Sequence, residues 1–431
     1  MSSEDVVGPG SVRRTVGPVG DPDTVGWWDR LWRPFWTLPS AISIVAVVAA
    51  LVLPTVDEQL RGEAPYLFSG NVDSARSLLS TIASAMISLT GLVFSITMVV
   101  MQLASSQFTP RLIGAFLGSR ITQVTLGIFT SSFLFAFVVL RDVRGGESPF
   151  VPQLSVTTAF ALVLASVAMF FAFIHHITVS IQVSQVIDRV ARGTVSSLRR
   201  GSDSEWDDTS PVPPFWSQQP GPSVVVTSGD RHGTVQRIHY SHLVKGAQQA
   251  GVVVELLARP GDVRHRGQDL ALVHGAGADD DVVDAVRSAF GLGKERTLQQ
   301  DPEFGVRQLV DIAERALSPG INDPTTAVQV LDELHRILRV AAAQPDRSAH
   351  LVDPAGAVRV VDRPTTFSGL LDLALDEIAY YGGDTLQVPP HIEMMLEDLE
   401  RMARPEHGAV VAAKRTALAS RHGGRHAADD A

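Results

Sequence analysis

Hydrophobic positions fall into two regimes along this chain. Between residues 35 and 181 they form four long runs, about Phe35 to Leu53, Leu78 to Leu103, Ile121 to Leu140 and Leu154 to Ile181. None of the four contains Asp, Glu, Lys or Arg. A run of roughly 20 apolar residues is what a helix needs to cross the hydrocarbon core of a bilayer, so four transmembrane helices are predicted. Beyond residue 222 the runs shorten and alternate, then take on helical periodicity. The expected fold class is a membrane α-helical domain of four transmembrane helices followed by a cytosolic α+β region with a small β-rich module and a helical module.

Punctuation divides the chain further. Residues 1–34, rich in Gly, Pro, Ser and Val, read as a disordered cytosolic tail and interfacial segment, and 35–181 as the four-helix transmembrane domain. Residues 182–222 read as a juxtamembrane helix, its basic residues facing anionic lipid, and a linker containing Pro211, Pro213, Pro214, Pro220 and Pro222. A β-rich module over 223–276 is predicted from Val224-Val225-Val226, Thr234 to Ile238, Val252 to Leu257 and Leu270 to Val273, with a helix near Ser241 to Ala250. Residues 277–420 read as a helical module with one β-hairpin, Leu351 to Val361, and 421–431 as a disordered tail. Within that module Asp301-Pro302 and Asp323-Pro324 each place a capping carboxylate before a proline at the first helical position. They predict helices over Phe304 to Leu317 and Thr325 to Val340. Three more are predicted near Phe367 to Tyr381, His391 to Arg404 and Glu406 to Ser420.

Charge gives the runs a direction. Arg13, Arg14, Arg30 and Arg33 precede the first, Arg111 and Arg120 separate the second and third, and Arg189, Arg192, Arg199 and Arg200 follow the fourth. The other two loops hold Arg61, Arg76, Arg141 and Arg144 mixed with acids. By the positive-inside rule both termini are expected to be cytoplasmic, with the inner (plasma) membrane of the cell as the location. Trp27, Trp28, Trp32 and Trp36 crowd the entry to the first run, where headgroup-level aromatics belong. The formal net charge of -10 argues against a nucleic-acid partner. With no cysteine, disulfides, thiolate metal sites and cysteine nucleophiles are excluded.

Two sets of residues stand out. In the second run Thr81, Ser84, Ser88, Gly91, Ser95, Met98 and Gln102 recur every three or four positions, a small and polar stripe on one helix face. It reads either as a packing seam or as the lining of a pore. In the soluble half Asp301, Arg307, Asp311, Arg315, Asn322, Asp323, Thr325 and Thr326 gather on an αα-hairpin, with Arg307, Asp311 and Arg315 four apart as in a charge ladder. They read as caps and helix pairing, or as a site for a cation or polar ligand. His175-His176 lies near the end of the fourth run and reads as an interfacial pair. The acids Asp376, Glu377, Asp384, Glu393, Glu397, Asp398 and Glu400 read as a solvated face of two helices.

Arg259-Pro260-Gly261-Asp262-Val263 with Gly267 to Leu270 is similar to the hairpin of biotinyl- and lipoyl-carrier folds, but lacks their carrier lysine. A broader resemblance rests on three stretches. They are Tyr66 to Gly70 with Ala75-Arg76-Ser77, Val93 to Ile96 with Ser105 to Leu112, and Gln299 to Gly305 with Asp311-Ile312-Ala313 through Ala327. On them the chain resembles a bacterial family of predicted multi-pass membrane proteins of unknown function, which carries over no activity and no catalytic residue. No phosphate-binding loop, nucleophile elbow or zinc-protease motif occurs, so no catalytic, cofactor or metal residues are assigned. The expected partners are the lipid bilayer and further copies of the chain, with a small-molecule or ion ligand undefined. The leading expectation is an oligomeric channel or transporter-like assembly with a cytosolic regulatory domain. The alternative is a non-conducting membrane-anchored sensor or scaffold.

Overall fold

The computed structural model describes residues 35–59, 68, 70–107, 120–145, 150–180, 182–202 and 223–429. The N-terminal tail with Trp27, Trp28 and Trp32, the loops holding Arg61 and Arg111 to Gly118, and the proline-rich linker lie outside the described residues. Two compact units result, divided at Val99/Val100 and at His176/Ile177.

The first unit takes in α1 (Thr37–Gln59), α2 (Val72–Gln107) as far as Val99, α3 (Arg120–Leu140) and α4 (Gln153–Ser180) as far as His176. Among the described residues these are the helices long and apolar enough to cross a membrane. They overrun the apolar runs at some ends. The helix that begins at Val72 takes in Asp73 and Arg76, and α1 carries Asp57 and Glu58 in its last turns. The absence of charge expected of the four spans therefore holds for their centres and not for the whole helices. Polar ends satisfy helix termini that hydrophobicity alone does not mark.

Helix α3 is the core of this unit. Over half of its apolar window is buried, against 17% for each of the other three. It packs most extensively on α1, where Gly127 lets the backbones approach: a Cβ there would lie 2.7 Å from Ile42 Cδ1 and 3.2 Å from Pro39 Cα. Leu79, Ile82, Ala83 and Met86 of α2 close a common apolar cluster with Phe135, Ala136 and Val139 of α3 and Val156 and Ala159 of α4. The outward faces of α1 and α4 expose apolar side chains, as lipid requires, Val45 and Val48 of α1 and Phe160, Leu164 and Phe171 of α4 among them.

The second unit takes in the ends of α2 and α4 beyond those divisions and continues with α5 (Val183–Ser202). Its strands form a five-stranded sheet and a three-stranded sheet. The first has the order β1 (Ser223–Thr227), β5 (Asp269–His274), β3 (Val253–Leu256), β8 (Val358–Val361), β7 (His350–Val352). The second runs β4 (Val263–Arg264), β2 (Gly233–Ile238), β6 (Phe290–Gly293). The β7–β8 hairpin joins the larger sheet through parallel pairing of β8 with β3, Val254 opposite Val360. Strand β6 corrects the reading of 277–420 as helices and one hairpin. Phe-Gly-Leu-Gly is only four residues long and half Gly, too weak to announce a strand, and pairing with antiparallel β2 makes it one. Helices α6 (Tyr240–Ala250) and α7 (Asp280–Ser288) pack with these strands around Val254, Leu270, Val273 and Phe290.

The remaining helices are α8 (Pro302–Leu317), α9 (Pro324–Ala342), α10 (Phe367–Tyr381), α11 (Val388–Met402) and α12 (Pro405–Asp429). The last runs to Asp429, through the tail expected to be disordered. After Pro405 the sequence offers no proline to stop it, and Gly423 and Gly424 weaken a helix by about 1 kcal/mol each without breaking it. Helix α8 is central, packed on α5, α9 and α10. Its Val306, Leu309, Val310 and Ala313 are fully buried, as are Val330, Leu331, Leu334 and Ile337 of α9.

Candidate functional site

The eight polar residues expected on the αα-hairpin do not converge. Helix α8 has 16 residues, about 24 Å at 1.5 Å per residue, and it holds them in three separate places.

At its start, Asp301 is only 4% exposed. Its Oδ1 accepts from Phe304 N–H at 3.0 Å, which caps α8. Arg296 grips the same carboxylate from Nε at 2.8 Å and Nη2 at 2.9 Å. The Arg296 guanidinium also lies 5.1 Å from the centre of the Phe304 ring. Gly261 presses on this pair with φ +95°, and a Cβ there would be 2.5 Å from Asp301 Oδ2. Arg296 was not singled out in the sequence, because a lone arginine five residues before an Asp-Pro start carries no pattern.

Midway along, Arg307 gathers three carboxylates. It donates to Asp311 at 2.6 Å, to Glu377 of α10 at 2.7 Å and to Glu314 at 3.0 Å. The Arg307–Asp311 rung of the expected ladder is thus present, while the acid that ties α8 to α10 is Glu377. Its hydrogen bonds from Arg307 and Glu314 hold Glu377 well below the usual carboxylate range. Burial, with the nearby Glu377, pushes Glu314 up to about 7. Those bonds raise Arg307 further above its already high value. One guanidinium cannot neutralise three acids, so a proton resides on Glu314 at mildly acid pH.

At the far end the loop closes. Asn322 takes φ +50°, and its N–H bonds to Ser318 C=O at 2.9 Å. Asp323 caps α9, accepting from Thr326 N–H at 3.0 Å and Thr326 Oγ1 at 2.6 Å. The hydroxyl bond is the larger cause of its lowered pKa. Thr325 Oγ1 reaches Gln387 Oε1 at 3.5 Å. Arg315 contributes its carbonyl to Ser318. Capping and helix pairing engage Asp323, Thr325 and Thr326.

Most acids of α10 and α11 are exposed or half-exposed, as a solvated face requires, and they are paired as well. Lys414 of α12, 8% exposed, pairs with Asp372 at 2.6 Å and Asp376 at 3.0 Å. Arg415 joins Glu393, Glu397 and Glu400, and Asp398 meets Arg339 and His335. Much of the predicted solvated face is a set of ion pairs between helices, whose basic partners come from distant segments.

A polar cavity of about 290 Å³ is lined by Leu256, Leu257, Ala258, Arg259, Asp262, Asp362 and Arg363. Asp362 is engaged by Tyr240 Oη at 2.8 Å and Arg363 N–H at 2.7 Å. The Arg259 guanidinium meets Glu303 at 3.4 Å, and that of Arg363 meets Glu255 only at 3.9 Å.

The α2 stripe lies on one exposed face of its helix. Thr81, Ser84, Ser88, Gly91, Ser95, Met98 and Gln102 all face outward from the helices of this chain. The opposite face, Ala75, Leu79, Ile82, Ala83, Met86 and Val93, makes the contacts. Thr81 and Ser88 donate to the carbonyls of Ser77 and Ser84, at 2.7 and 2.9 Å. Buried polar side chains within the first unit include Thr122, Gln123, Thr125, Ser131 and Ser132 of α3. Ser132 Oγ lies 3.0 Å from Ser166 Oγ of α4. His175 is exposed beside His176 on α4.

Residues 32–398 match the family model described as "Predicted membrane protein (DUF2254)". The chain belongs to the DUF2254 family. Uncharacterized proteins of Mycobacterium tuberculosis (strain H37Rv) and Mycobacterium bovis are each 32% identical to this DUF2254 protein over 371 residues, 82% of this chain and 69% of the relative. No solved structure matches it. The DUF2254 match takes in all four apolar helices and the α8–α9 hairpin, so both candidate regions are parts of the family's common chain.

Proposed function

We propose that this membrane protein works as an oligomer of the channel or transporter-like kind, with the second unit as its cytosolic regulatory part. The observation that carries this reading is the outward direction of the whole α2 stripe. All seven positions, six of them small or polar, are exposed along one face, and the space around a Cβ at Gly91 holds no heavy atom within 4 Å. Small residues in a membrane helix favour close approach of another helix, since lipid gains nothing from them. A second copy presenting the same stripe would bury it and would line an axis with hydroxyls that carry no fixed charge. Thr81 and Ser88 spend their protons on their own helix, so each leaves lone pairs toward that axis.

The test is a Ser88→Leu and Ser95→Leu double variant, assayed for oligomeric mass in detergent and for solute flux in proteoliposomes. Loss of the oligomer supports an interface, and an intact oligomer with altered flux supports a path. Absence of flux from the unaltered protein for any ion or solute defeats the conducting reading.

The second reading is a sensor without conduction, and the cavity flanked by Arg259 and Arg363 favours it. Two guanidinium groups and the carboxylates of Asp262 and Asp362 border this space, a mixed lining that suits a small polar ligand. Isothermal titration of the full chain with nucleotides and phosphate tests it, and no heat of binding counts against it.

A further inference from the structure

We infer that α5 carries a docking face for anionic lipid headgroups, made of Arg189, Arg192, Arg199 and Arg200. At 100° per residue these four fall within one arc of about a quarter to a third of a turn, together with exposed Gln185 and Ser196. The other side of the same helix is committed to protein. Val186, Ile187, Val190, Ala191, Thr194 and Ser197 are buried where α5 packs on α8 and α9. The two faces cannot exchange roles, because Gly305 of α8 sits so close to Thr194 that a Cβ would overlap its hydroxyl.

Charge complementarity selects the occupant. The chain as a whole is at -10, yet this arc gathers four arginines. The acid beside them, Asp188, is paired to Arg192 and to Arg336 of α9. Arg200 also donates to Ser196 Oγ at 2.6 Å and to Gln299 C=O at 3.4 Å, which fixes its stem along the helix and leaves the residue exposed. Continuity supplies the second argument. Two residues separate Ser180, the end of a helix apolar enough to span a bilayer, from Val183, the start of α5. At full extension that gap is no more than about 10 Å, so the arginines begin within reach of a bilayer surface. Basic side chains so placed bind anionic headgroups and lose that attraction as salt rises.

The absence of cysteine makes a specific probe available. Ser196 lies thirteen residues into α5, about 20 Å along it, so proximity to lipid there does not follow from the tether alone. The full chain carrying Ser196→Cys with a fluorescent label would be reconstituted in nanodiscs of phosphatidylcholine, with or without phosphatidylglycerol, containing lipid quenchers near the headgroup. The expected result is at least about twofold more quenching with phosphatidylglycerol, abolished by high salt. Arg189→Gln, Arg192→Gln, Arg199→Gln and Arg200→Gln together should reduce it to the neutral-lipid level, and lysine at the same four positions should restore it. Equal quenching in the two bilayers, or quenching indifferent to salt, overturns the proposal. If the glutamine variant does not fold, the lipid and salt comparison on the unaltered arginines decides alone.

Discussion

Arg296 holds Asp301 through two hydrogen bonds of 2.8 and 2.9 Å while the same carboxylate caps α8 through Phe304 N–H. One buried side chain thus closes a turn before α8 and starts the helix on which the second unit is packed. Asp301→Ala removes both functions and leaves a guanidinium one-third exposed without its acid. The expected loss is about 2–4 kcal/mol, against about 1 kcal/mol for Asp323→Ala, whose loss is mainly that of a cap. Chemical denaturation of the two variants checks the order. Equal losses would mean that Arg296 adds nothing to the cap.

Gly305 and Thr194 set the spacing of α8 and α5. Gly305→Ala should destabilise the second unit by about 1–3 kcal/mol through overpacking. Adding Thr194→Ala should recover part of that loss, because the overlapping hydroxyl is then gone. The melting temperatures of the single and double variants test this, and an additive decrease refutes it.

Glu314 makes stability depend on pH near neutrality. Burial and Glu377 raise its folded pKa to about 7, above the ordinary carboxyl value. The folded state therefore binds more protons than the unfolded one between about pH 4.5 and 7, and stability falls as pH rises through that window. Glu377 acts oppositely: its lowered pKa supplies stability that is lost only as pH falls toward 2. Glu314→Gln should flatten the melting temperature between pH 5 and 8. A slope unchanged from that of the parent protein would remove Glu314 as its source.

Asp57 ties two of the apolar helices together. Its carboxylate, at the end of α1, accepts from Leu154 N–H at 2.6 Å, Ser155 N–H at 3.0 Å and Ser155 Oγ at 2.7 Å, and so caps α4 from another helix. Asp57→Ala should cost about 2–4 kcal/mol, since three bonds to a buried charge are lost. Asp57→Asn, which keeps an acceptor, should cost less. Thermal unfolding in detergent measures both, and a neutral Asp57→Ala would show that water replaces the cap.

Much of the fold is legible in local pattern. Thr37–Gln59 and its three companions are helices because apolar runs of that length leave backbone groups no other partner in lipid. Asp301-Pro302 and Asp323-Pro324 start helices because the acid caps and the proline fits the first position. Residue spacing also puts the seven α2 positions on one face. Strand β6 was not legible, since its identity comes from β2, more than fifty residues earlier in the chain.

What the sequence determined by itself, then, is whatever one segment decides through its own periodicity and caps: the apolar helices, the hairpin starts, the α2 stripe and the arginines of α5. Only the tertiary structure decided which faces are used. It turned the α2 stripe outward and buried the hydroxyls of α3, and it spread the hairpin's polar residues along α8. It also paired Asp301 with Arg296 and Glu377 with Arg307. The reason is physical: a helix fixes the angles among its own side chains, but burial and ion pairing depend on which distant segment arrives against them.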